Sequence, residues 1–151
     1  MSQVEERLAA LGFTVPEVAA PVASYVPAVI SGSHVFTSGQ LPMVAGTLAA
    51  TGRLGAEVDQ EQGAKLAEIC ALNAIAAVKS VLGDLDRVIQ VVRVTGFVAS
   101  VPEFHAQPAV INGASNLLGA AFNGAHSRSA VGVAALPLNA PVEVDMIVEF
   151  K

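Results

Sequence analysis

The chain is short of charge, of cysteine and of long apolar runs. Only 14% of its 151 residues are charged, and eight lysines and arginines stand against thirteen acids, giving a net charge of -5. Cations this few and this scattered make no basic patch for a phosphate backbone, which argues against a nucleic-acid partner. One cysteine, Cys70, excludes an internal disulfide, and the first residues lack the positive cap and apolar core of a secretory signal. A reducing cytoplasm is the expected compartment. No apolar run approaches the roughly 18 to 20 residues of a membrane span, so no membrane partner is expected. What the chain does have is 53% hydrophobic residues and a mean hydropathy of +0.58, largely from Ala and Val. That surplus is expected to cover subunit interfaces. The length predicts a single domain over residues 1–151, with residues 1–12 as an N-terminal helical extension.

In order, Val4, Leu8 and Leu11 recur at helical spacing with Gly12 as a stop, predicting a short amphipathic helix outside the main core. Pro16 and Pro21 forbid a helix over 13–26, which reads as an extended segment ending in a weak strand around Tyr25. Val29-Ile30, the turn Ser31-Gly32-Ser33 and the strand from His34 to Ser38 form a hairpin. Met43 to Gly55 is a glycine-rich loop with room for an edge strand. Asp59 caps the longest helix, Gln62 follows three residues on, and Gly83 ends it. Its alanines and the series Leu66, Ile69, Leu72, Ile75, Val78 and Leu82 predict close packing on a sheet, with Cys70 as a core residue. Val88 to Val98 is a buried central strand, with Gly96 where something approaches closely. A second helical region starts at Ser100, is interrupted near Pro108 and runs to Phe122. No internal repeat is visible.

The most informative stretch is His126 to Pro137, followed by Val142 to Phe150. Both read as strands, the second alternating Val142, Val144, Met146, Val148 and Phe150 with mostly acidic residues. On the first, Arg128, Ala130, Gly132 and Ala134 share one face, an arginine above a floor of very small residues. A guanidinium fork over such a floor suits a small anion, although a strand-end arginine in solvent has the same pattern.

Tyr25, the segment Thr37-Ser38-Gly39-Gln40-Leu41-Pro42, Asn73 in its helix, Phe97-Val98, and above all Arg128-Ser129 through Leu136-Pro137 to Glu143 resemble the YjgF family of reactive intermediate deaminases (RidA-like proteins). The resemblance covers 25–151. It implies an α+β, chorismate-mutase-like fold, a mixed β-sheet packed by two helices on one face, and a homotrimer with ligand clefts between subunits. It further implies a hydrolase without a cofactor, of the 2-iminobutanoate/2-iminopropanoate deaminase type, which converts a small 2-imino acid to a 2-oxo acid and ammonia. Arg128 would hold the substrate carboxylate and Glu143 would position or activate water. Tyr25, Ser38, Gly39 and Ala130 would line the pocket. Two positions depart from the family pattern: Ala130 stands where the pocket cysteine is usual, and Pro108 where an asparagine is. These departures motivate an alternative, a non-catalytic small-carboxylate binding or sensing protein. A further alternative is an endoribonuclease, which the acidic balance disfavours.

Imine hydrolysis needs an anion site, an oriented water and a proton carrier. Read as neighbouring strands joined by a turn, the two segments put Arg128 and Glu143 at opposite ends of the sheet, on the order of 20 Å apart along the strands. Both would then serve one substrate only from different subunits. Other groups carry less. Glu143 and Asp145 share a face but lack a nearby His for a metal site, so no metal is expected. His34, His105 and His126 are isolated; His126, beside Arg128, is the best placed of the three to touch a ligand, but the simpler reading is a surface loop histidine. Ser38 lacks a nucleophile-elbow pattern, and Gly46, Gly52 and Gly55 lack phosphate-loop spacing.

Overall fold

A computed structural model describes residues 1–21 and 23–151. Its elements are α1 (Gln3–Ala10), β1 (Ala28–Ser31), β2 (His34–Thr37), β3 (Met43–Val44), β4 (Thr47–Leu48), α2 (Gln60–Leu82), β5 (Val88–Ala99), α3 (Gln107–Phe122), β6 (Ser127–Val133) and β7 (Val142–Phe150). The main sheet has the order β1-β2-β7-β5-β6, with β5 and β6 parallel and the other pairs antiparallel. β3 and β4 form a separate small hairpin inside the glycine-rich loop. This is a mixed α+β fold with α2 and α3 on one face of the sheet. No helix among the described residues is long and apolar enough to cross a membrane.

The helices begin and end where local chemistry directs. The Asp59 carboxylate accepts from the Gln62 amide at 2.8 Å, and Gly83 ends α2 with a φ of 77°. Alanines 67, 71, 74 and 77 are fully buried on α2. Small residues also let the layers approach. A Cβ on Gly113 would strike the Ala64 backbone, and one on Gly96 would meet Ile111 of α3. Residues 91, 94, 96 and 98 of β5 and the even positions 142 to 148 of β7 are buried under the helices. Thr95, Phe97, Glu143, Asp145 and Ile147 lie on the opposite face, because successive side chains alternate.

Four expectations need correction. The N-terminal helix is not outside the core: Val4 and Leu8 are buried in the main apolar cluster, and α1 packs on α3. No strand forms around Tyr25, where the backbone only bends. The second helix starts at Gln107 rather than Ser100, with Pro108 in its first turn, where a missing N–H costs nothing. Most consequential, β6 and β7 are not neighbours. β6 pairs in parallel with β5, and the chain then crosses to the other side of β5 to lay down β7.

Candidate active site

The site is built where β2 loses register with β7. Phe36 faces Ile147 and Gln40 faces Val144, so four residues on one strand span three on the other. The extra residue makes a bulge, which re-aims the backbone of Ser38 and Gly39. It is held on both sides. Thr37 Oγ1 accepts from the Met146 amide at 3.0 Å, and Gln40 exchanges two backbone hydrogen bonds with Val144. From beneath, Asn73 on α2 donates through Nδ2 to the carbonyls of Leu41 and Met43, each at 3.0 Å.

Against this bulge lies a cavity of about 460 Å³ lined by Tyr25, Ser38, Gly39, Gln40, Met43, Pro137 and Glu143, with residues 19–21 and 23 as its outer wall. Four of the six residues expected to form the site therefore come together within one chain: Tyr25, Ser38, Gly39 and Glu143. A side chain on Gly39 would fall on the Glu143 carboxylate, so the absence of one lets that carboxylate lie against the backbone. Burial raises the Glu143 carboxyl above the usual carboxylate range, and the neighbouring Asp145 adds to this. Asp145 is raised by burial too, opposed by a hydrogen bond from Thr95 and by the Arg93 charge. The Ser38 hydroxyl donates to the Val26 carbonyl, so its proton serves to hold the segment after Tyr25.

Arg128 and Ala130 are elsewhere. Arg128 pairs with Val94 and Glu143 with Phe97, an offset of three residues along β5, or about 10 Å rather than 20. What separates them is the face of the sheet. Arg128 is on the helix side, where Nη1 donates to Ser115 Oγ at 3.1 Å and Nη2 to the Pro108 carbonyl at 3.3 Å. Glu143 is on the opposite side, with β5 between their two strands.

The floor of small residues beside Arg128 is not an open cavity either. Ala130 packs against the main core, and a Cβ on Gly132 would meet Gln107 Nε2 at 2.8 Å and Ser100 Oγ at 2.9 Å. α3 fills the space that these residues leave. His126 Nε2 and Ser115 Oγ are hydrogen-bonded at 2.9 Å, and burial, then the Arg128 charge, lowers the imidazole pKa. Pro108 and Ser115 are seven apart, two turns of one helix face. That spacing was readable, but not that it faces Arg128. Cys70 is buried, its thiol pushed well up by burial, and it plays no part in the cavity.

The five-stranded sheet under two helices matches known proteins. Residues 5–150 match the family described as "YjgF/chorismate mutase-like, putative endoribonuclease". Protein TCP17 of Trypanosoma cruzi is 45% identical, over 99% of this chain and 95% of that one. The crystal structure of Atu1372 from Agrobacterium tumefaciens, a protein of unknown function, is 50% identical with a TM-score of 0.93, covering 99% of this chain and 93% of that one. A Shewanella oneidensis structure described as a "putative endoribonuclease" is 37% identical with a TM-score of 0.94, covering 97% and 99%. RidA from an Antarctic Psychrobacter is more distant, at 26% identity and a TM-score of 0.64 over 89% and 94%. The chain belongs to the YjgF/chorismate-mutase-like family.

Proposed function

We propose that the protein is a RidA-like enamine/imine deaminase that hydrolyses a 2-imino acid to a 2-oxo acid and ammonia in a cleft between subunits of a homotrimer. The observation that carries this reading is the half-buried Glu143, its proton affinity raised, at the polar end of a cavity also lined by Tyr25, Ser38 and Gly39. Water is held by the Glu143 carboxylate and attacks C2 of the imine. The carboxylate takes one water proton and passes it to nitrogen, giving a carbinolamine. It then takes the proton of the new C2 hydroxyl and passes it to the same nitrogen as the C–N bond breaks, so that ammonia leaves and the C2 oxygen becomes the ketone. No cofactor is needed. The substrate carboxylate requires a cation, and Arg128 supplies it from a neighbouring subunit, since within one chain it lies on the far face of the sheet.

The test is ammonia release when the protein is added to 2-aminoacrylate formed in place by a serine dehydratase. Wild type accelerates release, while Arg128→Ala and Glu143→Ala do not, with the oligomer intact in both. Absence of acceleration by wild type would sink the proposal. A second reading, carboxylate binding without turnover, is favoured by Ala130 in place of the usual pocket cysteine and by the commitment of the Ser38 proton to Val26. Calorimetry detecting a 2-oxo acid in a protein that releases no ammonia would establish it. Ribonuclease activity, the description attached to the family and to the Shewanella relative, is checked by incubating nuclease-free protein with RNA.

A further inference from the structure

We infer that Asn112 is a second carboxylate-binding residue of the cleft, its side-chain amide donating to the same substrate carboxylate that Arg128 holds. The inference rests on the deaminase reading. It adds a residue to the half of the cleft that carries Arg128, on the helix face of the sheet and away from the Glu143 cavity.

Arg128 is fixed to one helix at two points. Nη1 donates to Ser115 Oγ at 3.1 Å and Nη2 to the Pro108 carbonyl at 3.3 Å. Both acceptors are neutral, and no carboxylate pairs with this half-buried guanidinium among the described residues. A guanidinium carries more N–H groups than these two bonds use, so the cation keeps donors for an anion from outside.

What else that anion meets is set by the helix. Positions 108, 112 and 115 of α3 recur at i, i+4 and i+7, which places them on one stripe. Asn112 therefore stands between the two residues that grip Arg128. Helical side chains lean toward the N-terminus, which carries the Asn112 amide over the turn where the guanidinium lies. Asn112 is exposed, and its side chain makes no hydrogen bond among the described residues. Pro108 has no polar side chain, and Ser115 Oγ is already bonded to Arg128 and His126. Of the three, only Asn112 has an uncommitted side-chain donor. Beside the guanidinium it gives a carboxylate a second, differently directed hydrogen bond without adding charge.

The experiment measures ammonia release at graded steady levels of 2-aminoacrylate, set by the amount of serine dehydratase, for wild type, Asn112→Ala, Asn112→Asp and Asn116→Ala. Loss of a hydrogen bond to a charged group is expected to raise KM about tenfold in Asn112→Ala, with kcat little changed. Asn112→Asp is expected to raise KM further, because its carboxylate repels the substrate and competes for Arg128, while Tm stays equal or rises. Asn116 is exposed on α3 but off the stripe, and Asn116→Ala is expected to behave as wild type. Unchanged KM in either Asn112 variant, or an equal rise in Asn116→Ala, would overturn the inference while leaving the deaminase reading intact. If wild type releases no ammonia, the deaminase reading fails and calorimetry with pyruvate decides. Binding about tenfold weaker in Asn112→Ala then supports the inference, and equal binding, or none by wild type, overturns it.

Discussion

Gly39 lies directly against the carboxylate of Glu143, and no side chain fits between them. The contact joins the β2 bulge to the strand that carries the acid. Gly39→Ala should push the Glu143 carboxylate aside, and because the clash is with the end of a flexible side chain rather than with backbone, the cost in stability should be small. A displacement near 1 Å at a reacting group costs on the order of 100-fold in rate. The expected outcome is a folded oligomer with kcat lowered by about that factor, read from ammonia release alongside a thermal melt. Unchanged kcat would show that the position of Glu143 against the bulge is not needed for turnover.

Burial and Asp145 raise the Glu143 carboxyl, which sets the sign of two pH effects. A general base works only when deprotonated, so the acid limb of kcat/KM should lie above the ordinary carboxylate range and vanish in Glu143→Gln. Stability runs the other way. A carboxyl whose folded pKa exceeds its unfolded one favours folding below the unfolded value, and that advantage is lost as pH rises through the folded value. Glu143→Gln should therefore raise Tm at pH 7, by about 1–2 °C once partial solvent exposure is allowed for. A lower Tm at pH 7 would show that the ionised carboxylate stabilises its site instead.

The elements that sequence revealed are those fixed by near neighbours: the Asp59 cap and Gly83 stop of α2, the hairpin around Gly32, and the alternation of β7. Gly96 was recognisable as a place of close approach, but Ile111 as the group approaching was not. Strand order was misread because pairing is not local. A short link between β6 and β7 suggests a hairpin, whereas in the sheet β5 lies between them, paired with β6 along one edge and with β7 along the other. The site divided along the same line. Tyr25, Ser38, Gly39 and Glu143 were recognisable by resemblance and meet in space, whereas the bulge that aims them depends on a one-residue mismatch between strands distant in sequence.

Ser115 holds the Arg128 guanidinium from α3 and also bonds His126, whose Nδ1 is buried without a hydrogen-bond partner among the described residues. With its pKa lowered, His126 stays neutral to below the ordinary imidazole range, so it does not add a second cation beside Arg128. Ser115→Ala removes one hydrogen bond from each, a loss of about 1 kcal/mol in stability. If Arg128 holds the substrate carboxylate, its loosened side chain should raise KM several-fold with little change in kcat. A fall in kcat at unchanged KM would assign Arg128 to the chemical step instead.

α1 is fastened to the fold at three points, which explains why a segment at the start of the chain belongs to the core. Asp86 accepts the amides of Gln3 and Val4, Arg7 donates to the Ala121 carbonyl, and Glu5 pairs with Lys79 on α2. The Lys79 partner, followed by the Ser2 cap, lowers the Glu5 carboxyl to about 2. A depressed folded pKa contributes stability that is present above the unfolded value near 4.5 and lost as pH falls toward 2. Lys79 is well exposed to solvent, so screening trims the benefit to about 1 kcal/mol. Glu5→Gln should lower Tm by about 2–4 °C at pH 7, and the gap to wild type should narrow steadily as acid is added. Val4→Ala provides a contrast, because it removes buried contacts to the core rather than a charge. Its destabilisation should be independent of pH over the same range, and a Glu5→Gln deficit equally indifferent to pH would mean that capping geometry, not the Lys79 pair, fastens the helix.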